Sequence, residues 1–161
     1  MKAGTPFLGI CLGHQLATVA LGGQVCTSDH FCLGAAEMHL TPEGKKDPLL
    51  SVYDGHRGIH FNNDVAVVLP EDAVLLARDP TGQIEAVRFA ERAWGVQFHP
   101  ECTPEIFDAW TIGHGEKEWQ QRLPWSEAVT VAETVRRDID TVNAEEAFAA
   151  RFQELIDPEK R

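Results

Sequence analysis

The segment PFLGICLGHQLATVALGG, residues 6–23, fits a strand, a sharp turn and a helix into one short span. Pro6 to Ile10 is an apolar run of the kind a buried strand makes. It breaks at Gly9-Ile10-Cys11-Leu12-Gly13. His14 to Leu21 resumes at helical spacing, with Leu16, Val19 and Ala20 along one face. Gly22-Gly23 supplies the helix stop. A strand feeding directly into a helix is a unit of α/β architecture.

Cys11 sits at the turn itself. On such an elbow a side chain is pushed out of the backbone path, and flanking glycines accept strain and close approach. The helix that follows presents unpaired N–H groups and a positive dipole end, which favour a thiolate and a developing oxyanion. From the turn alone, a small buried apolar cysteine explains the residue equally well.

Outward from the elbow, Val25 to Thr41 reads as strands with a loop around Asp29-His30, and Thr41 to Lys46 as a polar turn. Asp47-Pro48-Leu49-Leu50 can open one helical turn, Ile59 to Asp64 is ambiguous, and Val65 to Leu69 is β-branched and apolar. Ala73 to Arg78, Ile84 to Phe89 and Trp94 to Phe98 are three strands. Asp79-Pro80-Thr81-Gly82 is strong turn chemistry between the first two, and the short polar break at Glu91-Arg92 makes the set an antiparallel meander. Helices are expected from Pro104 to Trp110 with Thr103 as N-cap, from Ser126 to Arg137, and from Asn143 to Ile156.

Composition excludes several classes. Hydrophobic residues make up 43% and charged residues 24%, which suits a globular domain rather than a disordered chain. No apolar run approaches the roughly 18 residues that span a bilayer, and no signal peptide is visible, so a cytoplasmic protein without membrane attachment is expected. A net charge of −11 without a basic cluster disfavours nucleic-acid binding. Cys11, Cys26, Cys32 and Cys102 form no C-x-x-C pair, and no metal or disulfide framework is expected.

The second informative stretch is WGVQFHPE, residues 94–101. An apolar strand runs into His99, and Glu101 follows two residues later. A base for a thiol needs a group that orients its ring, and a nearby carboxylate can do this. A single histidine at a strand end is more often structural, so this stretch alone leaves both readings open.

GICLGHQ at 9–15 followed 88 residues on by the His99 motif resembles the class I, triad-type glutamine amidotransferases. The intervening and trailing sequence, including PEIFDAW at 104–110, looks most like stand-alone bacterial relatives of the GMP synthase amidotransferase domain. The resemblance implies a three-layer, flavodoxin-like α/β fold, with a mainly parallel sheet and an antiparallel extension over residues 73 to 98. It treats residues 1–161 as a single, partial amidotransferase domain, with C-terminal helices over about 104–156. It implies that Cys11 attacks the carboxamide of glutamine to form a γ-glutamyl thioester, that His99 moves the proton, and that Glu101 holds His99. Leu12 would give a backbone oxyanion donor, Gln15 would position substrate, and Asp64 is a further substrate-binding candidate. No cofactor is implied. Ammonia would pass to a synthetase partner, because Gly44-Lys45-Lys46 lacks the setting of a phosphate-binding loop.

Three features depart from that pattern or stay apart from it. Relatives commonly carry His-x-Asp where this chain has Asn62-Asn63-Asp64. Cys102 stands where the family has an aliphatic or small residue, which makes it a candidate second reactive thiol. The family also has a long segment before the elbow, with several parallel strands and a loop donating a second oxyanion N–H. Loss of one such donor costs roughly 10²–10³ in rate. The chain is therefore expected to be N-terminally incomplete or completed by a partner. His14 is expected to pack behind the elbow, and His30, His39, His56, His60 and His114 to be solvated or packed. Two other functions use the same residues: a γ-glutamyl hydrolase or peptidase, and an inactive truncated interaction or regulatory module.

Overall fold

The computed structural model describes residues 4–111, 113, 124–142 and 144–157. His114, and Asn143 at the expected start of the last helix, lie outside the described residues.

The strands are β1 (Phe7–Ile10), β2 (Gln24–Glu37), β3 (His39–Leu40), β4 (Arg57–Val68), β5 (Val74–Arg78), β6 (Ile84–Ala90) and β7 (Ala93–Val96). The helices are α1 (Leu12–Ala20), α2 (Pro104–Trp110), α3 (Trp125–Val142) and α4 (Glu145–Ile156), with 3-10 turns at Gly44–Lys46 and Leu50–Tyr53. Five strands form one sheet in the order β1-β7-β6-β5-β3, and β2 and β4 form a separate antiparallel ribbon. The expected meander is β5-β6-β7, antiparallel throughout. β1 lies parallel to β7, with Gly9 opposite Gly95 and Ile10 opposite Val96. This is the one parallel pair among the described residues, so here the antiparallel extension outweighs the parallel part.

Alternation along β7 explains the layers. Trp94 and Val96 face a core of Leu49, Leu50, Tyr53, Leu76, Phe98 and Phe148, roofed by the 3-10 turns and α4. Ala93 faces the opposite way, into a cluster with Ala17, Ala66, Val87 and Phe89 beneath α1. A Cβ on Gly95 would come within 2.5 Å of His14 Nδ1 and 2.6 Å of the Phe89 ring, so only glycine lets α1 settle this close to the sheet. A third cluster joins Ile59 of the ribbon and Cys102 to Phe107, Ala132, Val135 and Ile139 of α2 and α3.

Local chemistry accounts for several elements. Asp47 Oδ1 accepts from the backbone N–H of Leu49 and Leu50 and opens the expected helical turn, while the Trp94 indole donates to the same carboxylate. Thr103 caps α2, its hydroxyl accepting from Ile106 N–H. The ambiguous 59–64 stretch becomes part of β4 because β2 supplies its ladder partners, Ala35 for Ile59 and Leu33 for Phe61. The loop expected at Asp29-His30 falls where that ladder loses register, between Thr27 and Cys32. β1 ends the sheet, and Leu12, Leu16, Val19 and Leu21 stand exposed beside it. No helix among the described residues is long and apolar enough to cross a membrane.

Candidate active site

Cys11 occupies the junction of β1 and α1 with φ 46° and ψ −103°, and it is the one non-glycine residue with positive φ among the described residues. Its N–H donates to Val96 O at 2.8 Å, which carries the β1–β7 ladder one step into the turn. The turn closes tightly because Gly9 lies against the first helical turn: a Cβ there would stand 2.6 Å from the Gly13 carbonyl carbon. Gly13 differs, since a Cβ on it would meet nothing within 4 Å. Steric need therefore falls on the first of the two flanking glycines.

From the other motif, β7 ends at Val96 and the chain bends across β6 and β4. Gln97 N–H donates to Glu85 O and His99 N–H to Ile59 O, each at 2.8 Å. This anchoring aims the His99 ring at the elbow. His99 Nδ1 and Glu101 Oε1 are 2.7 Å apart, and the Trp110 ring packs 4.6 Å from the imidazole centroid. The Nε2 atom is buried without a hydrogen-bond partner at normal geometry. Burial pulls the imidazole pKa down, but Cys11 and the hydrogen-bonded Glu101 carboxylate outweigh it and hold the pKa at about 9. The ring is consequently cationic at neutral pH, with its free nitrogen beside the sulfur.

The other expected residues are placed as follows. Leu12 starts α1, and its side chain is 63% exposed. The opening N–H groups of a helix lack acceptors within it, which leaves a backbone donor next to Cys11. Gln15 points inward: its Nε2 donates to Asp64 O at 2.7 Å and to Gln97 Oε1 at 3.1 Å. Asp64 itself is exposed, with its carboxylate accepting from Thr27 Oγ1 at 2.8 Å. Asn62 is buried and donates to the same Asp64 carbonyl.

Two groups escaped the sequence reading. Gln97 is fully buried and donates from Nε2 to Cys11 Sγ at 3.5 Å. A polar side chain inside the apolar run WGVQF was the available signal, because a buried amide needs partners. His60 Nε2 lies 2.7 Å from Glu85 Oε2, both residues being buried, and its Nδ1 is 3.0 Å from Gly58 O. Burial opposes the charge on His60, yet the Glu85 carboxylate raises its pKa overall, against repulsion from His99. No spacing rule links residues 60 and 85 on different strands.

The remaining histidines and thiols play other parts. His14 packs behind the elbow against Phe89, and burial lowers its pKa to about 4. His30 and His39 are exposed, and His56 is half-buried. Cys102 is fully buried and its thiol pKa is pushed up to about 12 by burial, which removes it as a second reactive thiol. Among the described residues, no group of three or more His, Cys, Asp or Glu side chains could hold a metal.

A cysteine on a strained strand-to-helix elbow facing a carboxylate-held histidine defines an α/β protein built around a cysteine turn. Comparison with known proteins narrows this class. The family model described as Glutamine amidotransferase class-I matches residues 1–113, and the chain belongs to that family. It is 33% identical over 105 residues to a glutamine-hydrolyzing GMP synthase component of Methanothermobacter thermautotrophicus, which covers 62% of this chain and 53% of the relative. It is 31% identical over 163 residues to the glutamine-hydrolyzing GMP synthase of Tolumonas auensis, which covers 91% of this chain and 30% of that protein. The glutamine amido transferase of Methylobacillus flagellatus shares the fold at a TM-score of 0.74 and 23% identity, over 94% of this chain and 64% of that one. The chain thus spans about half the length of the archaeal relative and is GMP-synthase-like within its family.

Proposed function

We propose that the chain hydrolyses glutamine to glutamate and ammonia through Cys11, His99 and Glu101, in the cytoplasm, and that the ammonia serves a synthetase partner. The observation that carries this reading is the convergence of two motifs 88 residues apart, the Cys11 elbow and the His99–Glu101 pair at 2.7 Å. Archaeal relatives whose names make them one component of a GMP synthase support the partner.

In this mechanism the Cys11 thiolate attacks the carboxamide carbon of glutamine, and the oxyanion forms beside the Leu12 N–H. The C–N bond breaks as the cationic His99 gives its proton to the departing ammonia. Neutral His99 then takes a proton from water, hydroxide adds to the thioester, and the C–S bond breaks to release glutamate. Sulfur leaves as thiolate and His99 is again cationic. Glu101 keeps the ring turned so that Nε2 faces the reaction. Gln15, through its Oε1, and the exposed Asp64 carboxylate recognise the amino-acid end of glutamine.

Glutamate release by the purified chain, run beside Cys11→Ala and with γ-glutamyl peptides as rival substrates, tests the reading. The expected result is release from glutamine that Cys11→Ala abolishes. Preference for the peptides would replace the proposal with a γ-glutamyl hydrolase, and a folded wild-type chain inert toward both would refute it.

A further inference from the structure

Gln97 is a buried polar group that takes no part in the proposed mechanism. Its amide orientation follows from a chain of partners that starts at a group with no freedom. Asp64 O is a backbone carbonyl and can only accept, so the Gln15 atom 2.7 Å from it must be the donor Nε2. That same Nε2 lies 3.1 Å from Gln97, so the facing Gln97 atom is the acceptor Oε1. The remaining Gln97 atom is then Nε2, and it points at Cys11 Sγ at 3.5 Å. Asn62 donates to the same Asp64 carbonyl at 3.2 Å, which ties down the origin of the chain.

We propose that Gln97 is a hydrogen-bond donor to the Cys11 thiolate, locked in its donating orientation by Gln15 and the Asp64 backbone carbonyl. An amide N–H aimed at sulfur favours the anion over the neutral thiol, and it does so most effectively where solvent is excluded. The same bond acts twice in the reaction. It stabilises the attacking thiolate, and it stabilises the thiolate that leaves when the thioester is hydrolysed. Gln97 thus holds the sulfur independently of the His99 ring. The inference rests on Cys11 being the nucleophile.

The test is the pH profile of Cys11 alkylation by iodoacetamide, followed by peptide mass spectrometry, with the exposed Cys26 as an internal reference. In the wild-type chain Cys11 is expected to react faster than Cys26 near neutral pH. Gln97→Met keeps the bulk and removes the donor. It should slow Cys11 by about fivefold at neutral pH and move its profile to higher pH, while Cys26 stays unchanged. Gln15→Met frees Gln97 from its anchor and should give a smaller shift in the same direction; it decides the matter if Gln97→Met does not fold. An unchanged ratio of Cys11 to Cys26 reactivity in a folded variant overturns the role of Gln97. A wild-type Cys11 no faster than Cys26 would overturn the nucleophile reading, and this inference with it.

Discussion

Cys11 holds a conformation that costs on the order of 1–3 kcal/mol for a residue with a Cβ, and the structure keeps it there by a hydrogen bond to Val96 and the close seat of Gly9. The electrostatics of the facing ring make a direct prediction. An NMR titration of His99 should show a midpoint near 9, because Cys11 and Glu101 outweigh the cost of burial. In Glu101→Gln the midpoint should fall toward the ordinary 6.5, since one raising partner loses its charge. A midpoint unmoved by the substitution would show that Glu101 does not govern the ring. At this scale the candidate residues were legible in advance. Cys11, His99 and Glu101 stand in two contiguous motifs, whereas Gln97 gains its partner, and the His60–Glu85 pair its meaning, only from contacts between distant segments.

Elements position these residues through backbone proximity more than through side-chain bulk. Gly9 and Gly13 flank Cys11 symmetrically in sequence but not in space. Gly9→Ala forces a Cβ against the α1 backbone and should destabilise the chain by about 1–3 kcal/mol or more in urea unfolding. Gly13→Ala meets open space inside a helix and should be neutral or stabilise by up to about 1 kcal/mol. Equal losses from both would contradict the packing described for the elbow. The periodicity of residues 6–23 and the turn at Asp79–Gly82 made β1, α1 and the meander readable. The 59–64 stretch was not, because its strand character comes from pairing with β2 rather than from its own pattern.

Across the whole molecule three histidines set how stability responds to pH. His60 and His99 have raised pKa values in the fold, so their contribution is complete below about 6.5 and is lost as pH climbs, through about 9 for His99. His14 is lowered to about 4, and its neutral burial costs stability as pH falls from 6.5 toward 4. Urea unfolding should accordingly give greatest stability near pH 6.5, with losses at both pH 5 and pH 9. Stability that rises from pH 6.5 to 9 would contradict these assignments. The three-layer class was visible in the chain, but the balance of the sheet was not. Only pairing shows that, among the described residues, one parallel contact, β1 with β7, joins a larger antiparallel set. The β1–β7 contact also brings the elbow to the His99 loop, and the chemistry at their meeting point is what remains to be measured. The most direct measurement is intact-protein and peptide mass spectrometry after treatment with a chloroketone analogue of glutamine. One adduct is expected, at Cys11, prevented by excess glutamine and slowed in His99→Ala. Adducts spread over Cys26 and Cys32, or labelling of Cys11 indifferent to glutamine, would contradict it.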